Sequence, residues 1–524
     1  MARILVTEEI AQGGLDRLRL AGHEVDVQTD LSREQFLAAL PGVNALIIRS
    51  ATNVDAEAFA AAPDLQVVGR AGVGLDNVDV EAATNRGVMV VNAPTSNIIS
   101  AAEQTMALLL AVARNIPQAH AALVAGRWER SKWEGVELAE KTLGIVGLGR
   151  IGKLVAERAA GFAMRVIAYD PYISEKRARE MGVEAVSLDE LVARADFLTV
   201  HLPKTKETLG LIGRDLLKKA KPELRVINVA RGGIVDEEAL YEALKDGVIA
   251  GAALDVFNKE PTTESPLFSL SNVVVSPHLG ASTREAQDKA GDTIADMTLL
   301  ALAGDFVPFA VNVNAAEANE TIKPFLPLAE RLGRLFASLI GSDGSKVTTL
   351  EINAAGEIGG YDIGLLSLSA QKGYFGANGD EQITYVNAPQ IAKQRGIEVK
   401  NSTSKDGTEY KNLVTIRGGG HSIAATLTSQ SRHARIVMID DHVMRVPPAE
   451  NMLIVRNDDR PGVIGLVGVT LGAANVNIED MDVGRADAAG TAMMVMATDV
   501  NVPDDVVKKL AAEPGIIQVA RLHL

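Results

Sequence analysis

Arg231 in NVARGGIVDE, Glu260 in DVFNKEP and His278 in NVVVSPHLGAST are residue types that together can move a proton and grip an acid. A neutral imidazole takes a proton from a hydroxyl while the carbon beneath it gives up hydride, and returns it in the reverse direction. A carboxylate on the other ring nitrogen fixes the tautomer and stabilises the imidazolium. A guanidinium offers a planar fork that fits a carboxylate and polarises the neighbouring oxygen. Singly, each has a plainer explanation: a structural histidine after proline, a helix-capping arginine, a solvated loop glutamate. Position joins them, since each follows one of three successive strand-like runs, and open α/β sheets bind ligands at that edge. His201, in TVHLP, also ends such a run but lacks partners of this kind. It is read as packing in a cofactor pocket.

The second constellation is Gly147-Leu148-Gly149-Arg150-Ile151-Gly152. With 47 glycines in 524 residues, chance alone supplies about 0.4 such patterns, so the motif needs context. Here LGIV precedes it, the helical RIGKLVAERAA opens on it, and the next strand-like run ends in Asp170, 18 residues past Gly152. Gly147 permits the tight turn, Gly149 lets backbone approach a pyrophosphate, and Gly152 permits close helix–strand packing. The helix N-terminus adds free N–H groups and partial positive charge. Asp170 can accept from both ribose hydroxyls and repels a 2′-phosphate, which selects NAD over NADP. Arg150 and Arg177 nearby speak the other way.

These residues need a sheet to hold them. Up to about residue 305 the chain alternates helical stretches with β-branched runs: RILVTE (3–8), ALIIRS (45–50), LQVVGRAG (65–72), VMVVNAP (88–94), LGIVGLG (143–149), RVIAYD (165–170), DFLTVHLP (196–203), RVINVAR (225–231), GAALDVF (251–257) and NVVVSPH (272–278). They lack polar alternation, as strands buried on both faces do. The spacing predicts βαβ units in two doubly wound, Rossmann-like domains. Two long helices interrupt the rhythm as crossovers, one from near Asn97, the other opening at Ser282 with Glu285 as a capping box. The expected boundaries are a substrate domain at 1–97 and 285–308 with a cofactor domain at 98–284, and a substrate cleft between them.

Past residue 310 the composition changes. VNVNAAEANETIKP reads as a linker, and 312–446 as an α+β intervening domain without a second nucleotide fingerprint. Within it Arg432, His433 and Arg435 form a basic turn, read as solvated rather than as an anion site. RVPPAEN is a further linker, and 451–524 reads strand, helix, strand, strand, helix, strand, the βαββαβ order of a ferredoxin-like unit.

A net charge of −15 argues against nucleic acid and anionic membranes as partners. An anionic substrate then needs a local basic pocket. The absence of cysteine removes disulfides and thiolate metal sites, and fits a reducing cytoplasm. MARILVTEEI leads straight into a strand-like run, so no signal peptide is expected, and no apolar run reaches the ~18 residues a bilayer needs.

GLGRIG, VHLP, NVARGGIVDE, ALDVFNKEP and SPHLGAST, in this order, resemble the D-isomer-specific 2-hydroxyacid dehydrogenase family. The resemblance implies NAD as cofactor and catalytic roles for Arg231, Glu260 and His278. It implies cofactor contacts at Arg150, Ile151, Asp170, Val229, Asp255, His278 and Gly280, with Asp255 holding the nicotinamide amide. The family's cofactor domain is inserted into its substrate domain. ALIIRSAT, VVGRAGVGLDNVD and VNAPTSNIISAAE are similar to members acting on a phosphorylated hydroxy acid. This implies that backbone around Val73 and Gly74 holds the carboxylate, that Arg49 and Asn97 contact substrate, and that Arg49 lies near the phosphate. Arg130 and Lys132 would close the phosphate end from a neighbouring subunit; otherwise they are an exposed basic loop.

The C-terminal unit resembles an ACT domain, and the region before it the extra domain of the family's long bacterial members. The implied partner is an amino-acid effector, serine, held by Asn457, Asp459 and Asn477 in a homo-oligomer, a tetramer or a dimer. Asn457 stands where an aromatic residue is common. The implied activity is NAD-dependent oxidation of the phosphorylated D-hydroxy acid that leads to serine. Its rivals are a reductase of another D-2-hydroxy acid, such as hydroxypyruvate or 2-hydroxyglutarate, and a non-catalytic sensor of NAD and amino acids.

Overall fold

In the computed structural model all ten apolar runs are parallel strands. The residues described are 1–313, 320–377, 383–405, 409–428, 433–440, 442–485 and 490–524; Arg432 lies outside them. The first sheet holds Arg3–Val6, Glu24–Val27, Ala45–Ile48, Val67–Arg70 and Met89–Asn92, in the spatial order second, first, third, fourth, fifth. Its switch point lies between Arg3–Val6 and Ala45–Ile48, the paired strands from which the chain departs in opposite directions.

The second sheet has seven strands. Thr142–Val146 is flanked by Arg165–Tyr169 and Glu184–Ala185 on one side. On the other lie Phe197–Val200, Arg225–Asn228, Gly251–Leu254 and Val273–Val275. This is the doubly wound nucleotide-binding order, with its switch point at Thr142–Val146 and Phe197–Val200. Two strands were not expected from the sequence, Glu24–Val27 and Glu184–Ala185, and both lie at sheet edges. Both are exposed or half-buried along their length, unlike the covered edge strand Met89–Asn92, so neither carries the continuous apolar run that marks the others.

The crossover helices are Ile98–Arg114 and Arg284–Ala303. Their starts are tied where Ser100 Oγ meets Thr283 Oγ1 at 2.7 Å. The second begins one residue later than the sequence pattern indicates. Thr283, not Ser282, is its cap, accepting from the Ala286 N–H, so Glu285 falls in the first turn rather than at the reciprocal position of a capping box. This helix returns across the first sheet, where Ile294 is fully buried beside Gly69.

Past residue 320, helices Leu326–Asp343 and Gly364–Gly376 cover a six-stranded mixed sheet. The last unit is a four-stranded antiparallel sheet in βαββαβ order, built from Asn451–Asp458, Ile478–Arg485, Thr491–Thr498 and Ile516–His523. The two share one core, in which Leu335 and Phe336 pack with Met452, Val495 and Leu522. Among the described residues no single helix is long and apolar enough to cross a membrane, and no cluster of His, Asp and Glu could hold a metal.

Candidate active site in the interdomain cleft

Strands Arg225–Asn228, Gly251–Leu254 and Val273–Val275 are neighbours in the second sheet. The residues leaving their C-terminal ends therefore converge, and these carry Arg231, Glu260 and His278. His278 Nδ1 lies 2.5 Å from Glu260 Oε2. The other carboxylate oxygen accepts from the Phe257 N–H at 2.8 Å. Burial works against the Glu260 charge, but these two hydrogen bonds outweigh it and hold the carboxyl below its usual range. With Nδ1 turned to Glu260, the remaining nitrogen, Nε2, is the one free to act as base.

The loop that presents His278 is organised by Asp255, which is completely buried. Its Oδ1 accepts from Ser276 Oγ at 2.5 Å and the Leu279 N–H at 2.8 Å, and its Oδ2 from the Gly280 N–H at 2.8 Å. Its backbone oxygen takes the His278 N–H at 2.8 Å, and His278 sits at φ 55°. Such a conformation costs an L-residue about 1–2 kcal/mol, and Asp255 is what maintains it. Gln104, which sequence reasoning did not single out, supports this network through Ser276 Oγ at 3.1 Å.

Arg231 reaches across to the first lobe, donating from Nε to Asp76 at 3.2 Å. A side chain at Gly74 would collide with its guanidinium, at 2.2 Å from Nη2. The Val73 and Gly74 N–H groups donate to no protein acceptor among the described residues. Asn97 opens the crossover helix without using its side chain as a cap. Arg49 follows strand Ala45–Ile48 and donates to the Glu9 carbonyl at 3.3 Å. The arrangement thus offers an acid–base pair, a guanidinium and two free amides on facing walls.

Arg70 escaped sequence reasoning. It ends strand Val67–Arg70 as Arg49 follows its own strand, and that parallel position in GRAG was the available signal. Its guanidinium packs over Gly72, and its buried Nε has no partner among the described residues. Burial, with Arg231 and Arg49 close by, pushes its pKa down to about 10. A group so destabilised in its charged form gains from an incoming anion.

The cofactor face is formed at the other switch point. Gly147 adopts φ 97°, and a Cβ on Gly152 would lie 2.2 Å from the Gly147 carbonyl oxygen, so the turn and helix Arg150–Gly161 sit too close for any side chain there. Outside Gly149 there is open space, as approach of a pyrophosphate requires. The residues present fit a dinucleotide. Asp170 braces this turn by accepting from the Leu148 N–H at 2.9 Å and the Tyr172 N–H at 2.9 Å. Each oxygen keeps a lone pair for a ribose hydroxyl. Arg150 is exposed and Ile151 half-buried at the helix start, and Val229 backs Gly280. His201 hydrogen-bonds Thr199 Oγ1 at 3.1 Å, and burial pushes its pKa down to about 4.

Other expected site residues do not gather in one chain. Arg130 and Lys132 are exposed beyond the crossover helix, Lys132 pairing with Glu129 at 3.8 Å. Asn457 is buried, with its Oδ1 unpartnered among the described residues, at the end of strand Asn451–Asp458. Next to it Asp459 pairs with Arg485 at 3.0 Å. Asn477 precedes strand Ile478–Arg485, whose far end carries Arg485. About seven residues of strand, roughly 23 Å, therefore separate it from Asp459.

A two-lobed dinucleotide-binding dehydrogenase is the class that fold and cleft define. Residues 106–280 match the D-isomer specific 2-hydroxyacid dehydrogenase NAD binding domain, residues 321–440 the D-3-phosphoglycerate dehydrogenase intervening domain and residues 451–515 the ACT domain. The chain is 46% identical to D-3-phosphoglycerate dehydrogenase of Mycobacterium leprae, over 97% of both chains, and 41% identical to that of Archaeoglobus fulgidus over the full length of both. Among solved structures it is similar to the TT0316 protein of Thermus thermophilus (37% identity, TM-score 0.55), which covers 59% of this chain and 99% of that one. The chain belongs to the D-3-phosphoglycerate dehydrogenase family, within the D-isomer specific 2-hydroxyacid dehydrogenases.

Proposed function

We propose that the chain oxidises D-3-phosphoglycerate to 3-phosphohydroxypyruvate with NAD, the step that commits carbon to serine. The observation that carries this is the meeting, in one cleft of a protein of net charge −15, of the His278–Glu260 pair with Arg231, Arg70 and Arg49. NAD, held by the Gly147–Gly152 turn and Asp170, supplies the hydride acceptor. His278 Nε2 takes the hydroxyl proton, and Glu260 stabilises the imidazolium that results. Arg231 and the amides of Val73 and Gly74 hold the carboxylate, while Arg49 and Arg70 face the phosphate. Asn97, whose side chain makes no cap hydrogen bond, meets the substrate's polar groups.

The same proposal includes a cytoplasmic homo-oligomer. Arg130 and Lys132 then act on a neighbour's cleft, and Asp459 meets the Asn477 of a second copy around an amino-acid effector, serine. The effector's ammonium has to displace Arg485 from Asp459. Initial rates of NADH oxidation with 3-phosphohydroxypyruvate and with hydroxypyruvate test the substrate assignment. A large preference for the phosphorylated ketone is expected. Equal rates would remove the phosphate from the reading and leave a general hydroxyacid dehydrogenase.

A further inference from the structure

We propose that Glu8 is a positioning residue for phosphate recognition: its carboxylate holds the loop from which Arg49 projects. This rests on the reading of the cleft as a site for a phosphorylated hydroxy acid. Glu8 lies two residues past strand Arg3–Val6, and Arg49 one residue past Ala45–Ile48; Val6 and Ile47 are paired in register. The two residues therefore face each other across the switch point of the first sheet.

The Glu8 carboxylate accepts four consecutive backbone N–H groups. Oε1 takes those of Arg49 at 2.8 Å and Thr52 at 3.0 Å, and Oε2 those of Ser50 at 3.1 Å and Ala51 at 3.0 Å. A run of amides turned to one point is a nest that stabilises an anion. Here the anion is the protein's own. Burial raises the cost of the charge, yet the backbone hydrogen bonds prevail and keep the Glu8 carboxyl below its usual range.

The same loop is gripped from the carbonyl side. Asn77 Nδ2 donates to the Arg49 oxygen at 2.9 Å and the Thr52 oxygen at 2.6 Å. Amides held by Glu8 and carbonyls held by Asn77 leave residues 49–52 one conformation, and with it one exit direction for the Arg49 side chain. Glu8 makes no approach to substrate in this scheme; it acts through Arg49.

Glu8→Gln tests the idea because an amide has one acceptor oxygen, and its Nε2–H turns a donor toward backbone donors. The Michaelis constant for 3-phosphohydroxypyruvate is expected to rise about tenfold, with kcat and the constant for hydroxypyruvate each changing less than about twofold. Added to Arg49→Ala, the Glu8→Gln change is expected to have no further effect, since the two act as one unit. Equal losses for both ketones, or additive losses in the double variant, overturn the proposal. Should Glu8→Gln not fold, Glu8→Asp, which keeps the charge and both oxygens, runs the same cycle with a smaller first step. If the unaltered enzyme does not prefer the phosphorylated ketone, the substrate reading fails by itself. The cycle, measured on the better ketone, still decides whether Glu8 works through Arg49.

Discussion

His278 Nδ1 and Glu260 Oε2 stand 2.5 Å apart, although 18 residues separate them in the chain and each leaves a different strand. Glu260 is held below its usual pKa, so it stays ionised throughout the working range. A depressed carboxylate contributes stability that is fully present above its unfolded pKa and is lost as pH falls through the folded one. At neutral pH its charge is therefore available to the imidazolium.

Glu260→Gln should lower kcat for alcohol oxidation about 10–100-fold, because the imidazolium formed on proton transfer has lost its counter-ion. His278→Ala should cost about 10²–10⁴-fold in rate, with NADH binding, followed by fluorescence, almost unchanged. An unchanged kcat in the glutamine variant would remove Glu260 from the proton transfer.

His201 provides the contrast. Burial brings its pKa to about 4, so it is neutral wherever the enzyme works and contributes no limb of its own. Replacing it by Gln should leave the shape of the pH–rate profile unchanged between about pH 5 and 8, roughly the span in which an ordinary histidine titrates. A vanished or shifted limb would show that the assignment of the proton to His278 is wrong.

Arg70 should matter for the phosphorylated ketone and little for the plain one. Arg70→Gln removes a charge that burial and two neighbouring arginines already disfavour, so its loss is felt only when an anion is present to reward it. The Michaelis constant for 3-phosphohydroxypyruvate is expected to rise about 10–100-fold, the worth of one charge-assisted contact. An equal rise for hydroxypyruvate would assign Arg70 to the carboxylate instead. Better binding in the variant would remove it from the site.

Much of the site was legible because local constraints produced local patterns. The turn at Gly147 and Gly152 demands glycines whatever lies elsewhere, as the 2.2 Å approach at Gly152 makes plain. Arg231, Glu260 and His278 were legible because strands buried on both faces are unbroken apolar runs, and a polar residue just after each stands out. The half-exposed Glu24–Val27 left no such run. Thr283 as helix cap could not be told from Ser282 beside it, since both are hydroxyl residues and only the backbone turn decides which accepts the Ala286 N–H.

The amino-acid order by itself determined the architecture and the chemical inventory: two parallel sheets with a shared crossover, a dinucleotide turn, and a histidine and a glutamate beside a guanidinium. Those features follow from periodicity and residue type along short stretches. Tertiary structure alone decided which charges share space. It put Arg70 under the influence of Arg231, folded four amides around Glu8, wrapped Asp255 inside the His278 loop, and separated Asn477 from Asp459 by the length of a strand. The reason is physical. Hydrogen bonding and electrostatics depend on distance in space, and residues 41 apart, such as Glu8 and Arg49, become neighbours only when the sheet pairs their strands.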